Sequence, residues 1–326
     1  LSGNQFQGEI PEQITNLTSL TGVFTGHMGS GQVYPALDLS NNQFSGIIAP
    51  DICSFFLPWE HPFMDSLISF NNNNFCPPYP YCTTDIIENQ DISNCVPLSH
   101  NGPVWYVSTN GSDDTGDGSE EFPFHSIQNG IHYATDGDTV YVLSGIYIEN
   151  ISFNGKNIMV AGEDRNTTII DGNQAESVVE IDGGVDTSAV LKGFTLRNGL
   201  ANESSIHPSP FTGDGGGISI RNSSNPTIID LIIKDNEAGV GGGISIKSES
   251  NPTISNVVIS NNFGFSGGGI FIQSSSNGII KDVTIVNNTS SNGAGAIQLE
   301  YNSFAEITNT TIADNQSFST INSIES

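Results

Sequence analysis

Residues 225–250 read NPTIIDLIIKDNEAGVGGGISIKSES, residues 251–276 read NPTISNVVISNNFGFSGGGIFIQSSS, and residues 277–303 read NGIIKDVTIVNNTSSNGAGAIQLEYNS. The first two blocks span 26 residues and the third spans 27. Stacked, they align Ile228, Ile254, Ile280 and Ile307 in one column and Ile233, Ile259, Ile285 and Ile312 in another. Ile218, Ile244, Ile270 and Ile297 form a further column. Apolar residues alternate with polar ones inside each block, which is the period of a half-buried strand. Short strands recurring at a fixed interval, with like side chains stacked, specify a parallel β-helix of about 26 residues per coil. No helical pattern of about 10–15 residues separates these strands, so an alternating β/α fold is excluded.

The turns repeat as well. Asn236, Asn262, Asn288 and Asn315 form a column just after a strand, where a side-chain amide can satisfy backbone groups as a structural ladder. Upstream, Leu191, Phe194 and Leu196 align with Ile228, Leu231 and Ile233 at an interval of 37, so Leu200–Asp214 carries an insertion. A second repeat occupies the N-terminal part. Leu37–Ile48 reads LDLSNNQFSGII, Ile68–Phe75 reads ISFNNNNF, and Leu1–Pro11 reads LSGNQFQGEIP. Leu37, Leu39, Asn42 and Phe44 recur as Ile68, Phe70, Asn73 and Phe75.

The N-terminal pattern resembles the leucine-rich repeat, with Ile14, Leu17 and Leu20 fitting its return segment. FCPPYPYC and QDISNC resemble the cysteine-containing cap of secreted bacterial leucine-rich repeat proteins. That resemblance implies disulfides among Cys53, Cys76, Cys82 and Cys95, and the expected pairing is Cys53 with Cys76 and Cys82 with Cys95. Clustered disulfides in turn imply an oxidising, extracellular or cell-surface location. Residues 105–131, WYVSTNGSDDTGDGSEEFPFHSIQNGI, with 136–151, DGDTVYVLSGIYIENI, resemble the entry of right-handed β-helices of the pectin-lyase-like superfamily. The resemblance implies an amphipathic plug helix presenting Phe124, Ile127, Ile131 and Ala134 to the open end of the core. The expected fold is therefore mainly β: a leucine-rich repeat solenoid with its disulfide cap over 1–96, a linker over 97–103, and a right-handed parallel β-helix over 104–326.

Thirty-five acidic residues face eight Lys and Arg, a net charge of −27. Nucleic acid is excluded as a partner, because phosphate binding needs a basic face. Polyuronates are repelled too. No run of about 18 apolar residues is present, so no transmembrane helix is expected. The chain opens inside a repeat without a leader, which is the pattern expected of a piece of a longer secreted protein.

Candidate chemistry lies on the β-helix wall. Lys192, Arg197 and Lys234, with Asp230 and Asp235, are the charged outward positions beside the insertion, and Arg197 and Lys234 fall one coil apart. Cations there could serve as base and charge partner in polysaccharide elimination. Asp113, Asp114 and Asp117 in GSDDTGDGS form an oxygen-rich loop that could wrap a hard cation such as Ca²⁺, although no cofactor is required. The six histidines show no zinc-ligand spacing. Asn-x-Ser/Thr sequons at Asn16, Asn110, Asn150, Asn166, Asn202, Asn222, Asn287 and Asn309 are candidates for N-glycosylation, and Asn288 and Asn315 also belong to the ladder. Long repetitive faces serve binding better than catalysis. The expected function is adhesion, glycan binding or an extracellular structural role, with carbohydrate or another surface protein as partner; either further chain or end-to-end association into filaments would cover the open ends of the β-helix. The alternative is a polysaccharide lyase or hydrolase acting on uronate-containing glycans.

Overall fold

Each coil of the C-terminal repeat is a strand that bends, turns and returns. Thr227–Lys234 bends at Asp230, whose φ is 57°. The chain turns at Asp235 and Asn236, runs through Glu237–Val240, turns again at Gly241 and enters Ile244–Ile246. The computed structural model describes residues 2–10, 37–48, 52, 68–77, 79, 83, 87–95, 99–113, 115–201 and 213–318. It divides into two compact units, Leu1–Leu98 and Ser99–Ser326.

In the second unit, stacking of coils makes three parallel walls. The first runs from Val104–Val107 through Thr139–Val142, Met159–Gly162, Val190–Arg197, Thr227–Lys234 and Thr253–Ser260 to Asn277–Lys281 and Phe304–Thr308. The second runs from Ile151–Ser152 to Ile297–Leu299, and the third from Leu200–Ala201 to Gln316–Ser317. Register follows the sequence columns: Ile228 pairs with Ile254, Ile233 with Ile259, and Ile244 with Ile270. These isoleucines are buried, each contributing about 1.5–3 kcal/mol of apolar burial.

The bend in the first wall is itself a column. Gly193, Asp230, Asn256, Asp282 and Asn309 all take positive φ, between 47° and 79°. These are the residue types that tolerate the left-handed region. The Asn ladder forms the next turn. Asn236 donates to Oδ1 of Asn262 at 3.0 Å, Asn262 to Asn288 at 2.9 Å, and Asn288 to Asn315 at 2.9 Å. A second ladder was not anticipated. The backbone N–H of Ser224, Ser250 and Ser276 donates to the hydroxyl one coil on, at 3.1, 3.1 and 3.2 Å.

A short helix, α1 (Ile127–Tyr133), closes the first end of the core. Phe124, Ile127, Ile131 and Ala134 are buried as its spacing predicts. Its ends are held from the coil that follows. Both oxygens of Glu149 accept backbone N–H groups, from Ile127 at 2.9 Å and Gln128 at 3.0 Å. The Lys156 ammonium donates to the carbonyls of Ile131, His132 and Ala134, each at 2.8 Å. Negative charge at the first end and positive charge at the last complement the helix dipole. Burial pushes the Glu149 carboxyl up to about 7 and the Lys156 ammonium down to about 8.

In the first unit, Gln7–Gly8, Gln43–Ile47 and Asn74–Cys76 pair in parallel, and Leu37–Asp38 pairs with Ile68–Ser69. Phe6, Phe44 and Phe75 stack at 6.1 and 6.2 Å. Asn42 and Asn73 accept from the N–H of Phe6 and Phe44, and Gln90 then takes the same role toward Phe75 at 3.1 Å. The expected cysteine pairing is corrected here: Cys76 bonds Cys95. The reason is the Gln90 rung, because Asp91 N–H donates to the Asn73 carbonyl and so lays residues 87–95 beside the last strand. Cys53, Cys82, Ile14, Leu17 and Leu20 lie outside the described residues. Ser99 and His100, expected within the linker, belong to the second unit, where His100 packs edge-on against Trp105 at 5.1 Å.

Candidate functional site

One outward column of the first wall runs Tyr106, Tyr141, Ala161, Lys192, Ile229, set by consecutive parallel pairs. Rungs lie about 4.8 Å apart. The small Ala161 therefore leaves a hollow between Tyr141 and Lys192, which are two rungs apart. The hollow measures about 370 Å³ and is lined also by Thr139, Met159, Gly162, Glu163, Gly193 and Asp230. Tyr106 meets Tyr141 edge-on at 5.8 Å, extending an aromatic surface from one side.

Its two acids are already engaged. Glu163 accepts from the Ser144 N–H at 2.9 Å and the Ser144 hydroxyl at 2.7 Å, and these bonds hold its carboxyl below the usual range. Asp230 pairs with Arg165 at 3.2 Å and accepts from Asn256 at 3.0 Å. Lys192 differs. Among the described residues its ammonium makes no ion pair or hydrogen bond. Every other cation is engaged: Arg165 with Asp230, Arg197 with Asp171, Arg221 with Glu180 and Asp182, Lys234 with Asp235, Lys247 with Asp214, Lys281 with Asp282, and Lys156 with carbonyls.

The candidate residues named from sequence therefore separate. Arg197 and Lys234 are paired in register, one coil apart. Arg197 is bound to Asp171 at 2.8 Å, and Lys234 to Asp235 at 3.4 Å. Lys192 and Asp230 line the hollow, whereas Arg197, Lys234 and Asp235 do not. The cause is the bend at Gly193, φ 79°, which places Lys192 before the corner and Arg197 after it.

A second concentration of charge lies along the second wall, and sequence reading missed it. Glu180, Ser219, Ser245, Phe271 and Gln298 form its outward column. Arg221 and Lys247 follow two residues behind Ser219 and Ser245, and their spacing of 26 was a readable signal. Burial raises the Glu180 carboxyl, and Arg221 opposes the shift. Lys247 also lies over the Phe271 ring at 5.8 Å. Ser219, Ser245 and Phe271 are buried, and the two cations beside them are each paired with a carboxylate, Arg221 with Glu180 and Lys247 with Asp214.

Two of the three loop aspartates lie among the described residues. Asp113 accepts from the N–H groups of His125 and Ser126 at 2.9 and 3.1 Å, at the entry to α1. Asp117 accepts from Ser119 N–H at 3.0 Å and from the Ser99 hydroxyl. Asp114 lies outside the described residues. Among the described residues no three His, Cys, Asp or Glu side chains group to hold a metal ion. Of the sequons, Asn110, Asn166, Asn222, Asn287 and Asn309 are exposed, Asn150 is half-buried and donates to the Ser177 carbonyl, and Asn288 is buried in the ladder. Asn16 and Asn202 lie outside the described residues. No described helix is long and apolar enough to cross a membrane.

Two family models match parts of the chain. Residues 185–324 match the right-handed β-helix region family, and residues 36–55 match the leucine-rich repeat family. No curated protein matches the chain. Among solved structures it is similar to pectin methylesterase PemA from Erwinia chrysanthemi, at 15% identity over 63% of this chain and 67% of that one, with a TM-score of 0.38. A pectin methylesterase in complex with a hexasaccharide is similar at 15% identity over the same shares, with a TM-score of 0.39.

Proposed function

We propose that this chain is a carbohydrate-binding protein of the cell exterior, acting in adhesion, with its glycan contact at the hollow over Ala161. The observation that carries the reading is Lys192: an unengaged ammonium beside an aromatic surface in an open depression. Sugar sites combine a flat apolar surface for the ring with a few fixed polar groups for the hydroxyls. Tyr141 and Met159 supply the first, and Thr139, Glu163 and Lys192 the second. The extracellular location is supported by the Cys76–Cys95 disulfide. Binding is favoured over catalysis because Arg197 and Lys234, the other candidate bases, are each held by a carboxylate.

The test is a glycan array probed with the full chain beside Tyr141→Ala. Glycans retained by the wild type and lost by the variant support the reading, and an array without signal removes it. A second reading, a lyase or hydrolase acting on uronate-containing glycans, is favoured by the same free Lys192, which could serve as a base. Ultraviolet absorbance from unsaturated uronate ends, with a reducing-end assay alongside, decides between the two. Turnover that disappears in Lys192→Ala would establish the enzyme.

A further inference from the structure

The net charge of −27 argues against acidic ligands, yet the hollow holds Lys192, the one Lys or Arg that makes neither an ion pair nor a hydrogen bond among the described residues. Both facts hold if the ligand carries a single anionic sugar rather than a run of them. We propose that the hollow over Ala161 receives an isolated acidic sugar residue, bearing one carboxylate or one sulfate ester, at the end of an otherwise neutral glycan. This rests on the glycan-binding reading and adds the class of sugar.

The argument is local. Glu163 is bound through Oε2 to Ser144 and Asp230 through Oδ1 to Arg165, and neither carboxylate pairs with Lys192. An ammonium of this kind gains most from an anionic acceptor, since a charge-assisted hydrogen bond is about twice as strong as a neutral one. The anion must arrive on a ring, because the space between Tyr141 and Lys192 spans two rungs, about 10 Å of wall. With the ring against Tyr141 and Met159, an anionic substituent reaches toward Lys192. A polyanion would instead place its remaining charges over an acidic surface. That repulsion acts over a Debye length of about 10 Å at 0.1 M salt, which is several rungs of the wall.

The experiment titrates the full chain with three tetrasaccharides of one neutral backbone: unmodified, capped with a single glucuronate, and capped with a single 6-sulfated hexose. A polyuronate is the fourth ligand. The expected result is that at least one acid-capped ligand binds roughly tenfold tighter than the neutral one, the factor one added charged hydrogen bond supplies. Lys192→Ala should erase that difference and Lys192→Arg should keep it, because the ammonium acts here as a charge. Polyuronate should bind more weakly than the capped ligand at low salt and gain on it as salt rises. Which cap wins, glucuronate or sulfate, identifies the anion. Equal binding of neutral and capped ligands, with loss in Tyr141→Ala, overturns the proposal and leaves the glycan reading in place. Absence of binding by all four overturns both.

Discussion

Asn236 and Asn262 sit one coil apart, and Oδ1 of Asn262 accepts both the side-chain amide and the backbone N–H of Asn236, at 3.0 and 3.1 Å. Asn262 in turn donates to the Ile233 carbonyl at 3.0 Å and to Asn288 at 2.9 Å. Asn262 thus satisfies the buried turn on the coil before it and is held in turn by Asn288 on the coil after. Asn262→Ala leaves the Asn236 N–H and the Ile233 carbonyl buried without these partners. A loss of about 2–4 kcal/mol in urea unfolding is expected, from the desolvation of groups left unpaired. Asn262→Asp keeps the acceptor but loses the donors, so it should be destabilising as well.

The clamp on α1 makes stability depend on pH in two separate windows. The folded pKa of Glu149 lies at about 7, above its ordinary 4.5, so its contribution is complete below 4.5 and is lost as pH rises through about 7. Lys156 lies at about 8, below its ordinary 10.5, so its contribution is complete above 10.5 and is lost as pH falls through about 8. Relative to Glu149→Gln, the wild type should lose unfolding free energy between pH 4.5 and 7. Relative to Lys156→Met, it should gain between pH 8 and 10.5. Flat differences across these windows in chemical denaturation would contradict the assignment.

Gly162 and Gly193 meet backbone to backbone on adjacent coils. A Cβ on Gly162 would lie 2.2 Å from the Gly193 carbonyl oxygen, and one on Gly193 would lie 2.4 Å from the Gly162 oxygen. Neither carbonyl can retreat without opening the wall. Gly162→Ala should therefore cost about 3 kcal/mol in thermal unfolding, at the upper end of overpacking effects, and should weaken glycan binding, since both glycines line the hollow. Gly184→Ala is the control. Its added Cβ meets no atom closer than 3.8 Å, leaving only the strain of φ 74°, about 1–2 kcal/mol.

In the first unit, the Cys76–Cys95 bridge closes a 19-residue separation. Cys76→Ser with Cys95→Ser should cost about 3 kcal/mol. Gln90→Ala should cost less, about 1–2 kcal/mol, by removing the last rung to Phe70 and Phe75. Hydrogen exchange measured on peptides covering 68–76 and 87–95 should quicken in both variants. Unchanged exchange would contradict the rung assigned to Gln90.

Much of the architecture was legible because the coils repeat. Like residues at 26-residue intervals forecast the strand columns and the Asn ladder, and the apolar alignment at an interval of 37 forecast the register of Arg197 against Lys234. The site was only partly legible. Lys192 was singled out, but it was grouped with Arg197 and Lys234. The left-handed corner that separates them was visible only as a column of Gly, Asp and Asn, which reads equally well as surface polarity. Tyr141 and Glu163 belong to early coils of irregular length, where no period identifies an outward position. Glu149 and Lys156 act on a helix that precedes them by about one coil, a relation that spacing along the chain does not encode. The cysteine pairing failed for the same kind of reason, since Gln90 substitutes for Asn in the ladder and brings Cys95 to Cys76.

The most direct measurement is titration of the full chain with glycans drawn from the array, comparing wild type with Tyr141→Ala, Lys192→Ala and Arg221→Ala. Binding should fall at least roughly tenfold in Tyr141→Ala, which removes one aromatic contact from the sugar ring. It should fall in Lys192→Ala for acid-capped ligands and stay unchanged in Arg221→Ala. Binding that survives the first two substitutions but is lost in Arg221→Ala would move the contact to the second wall and contradict the account.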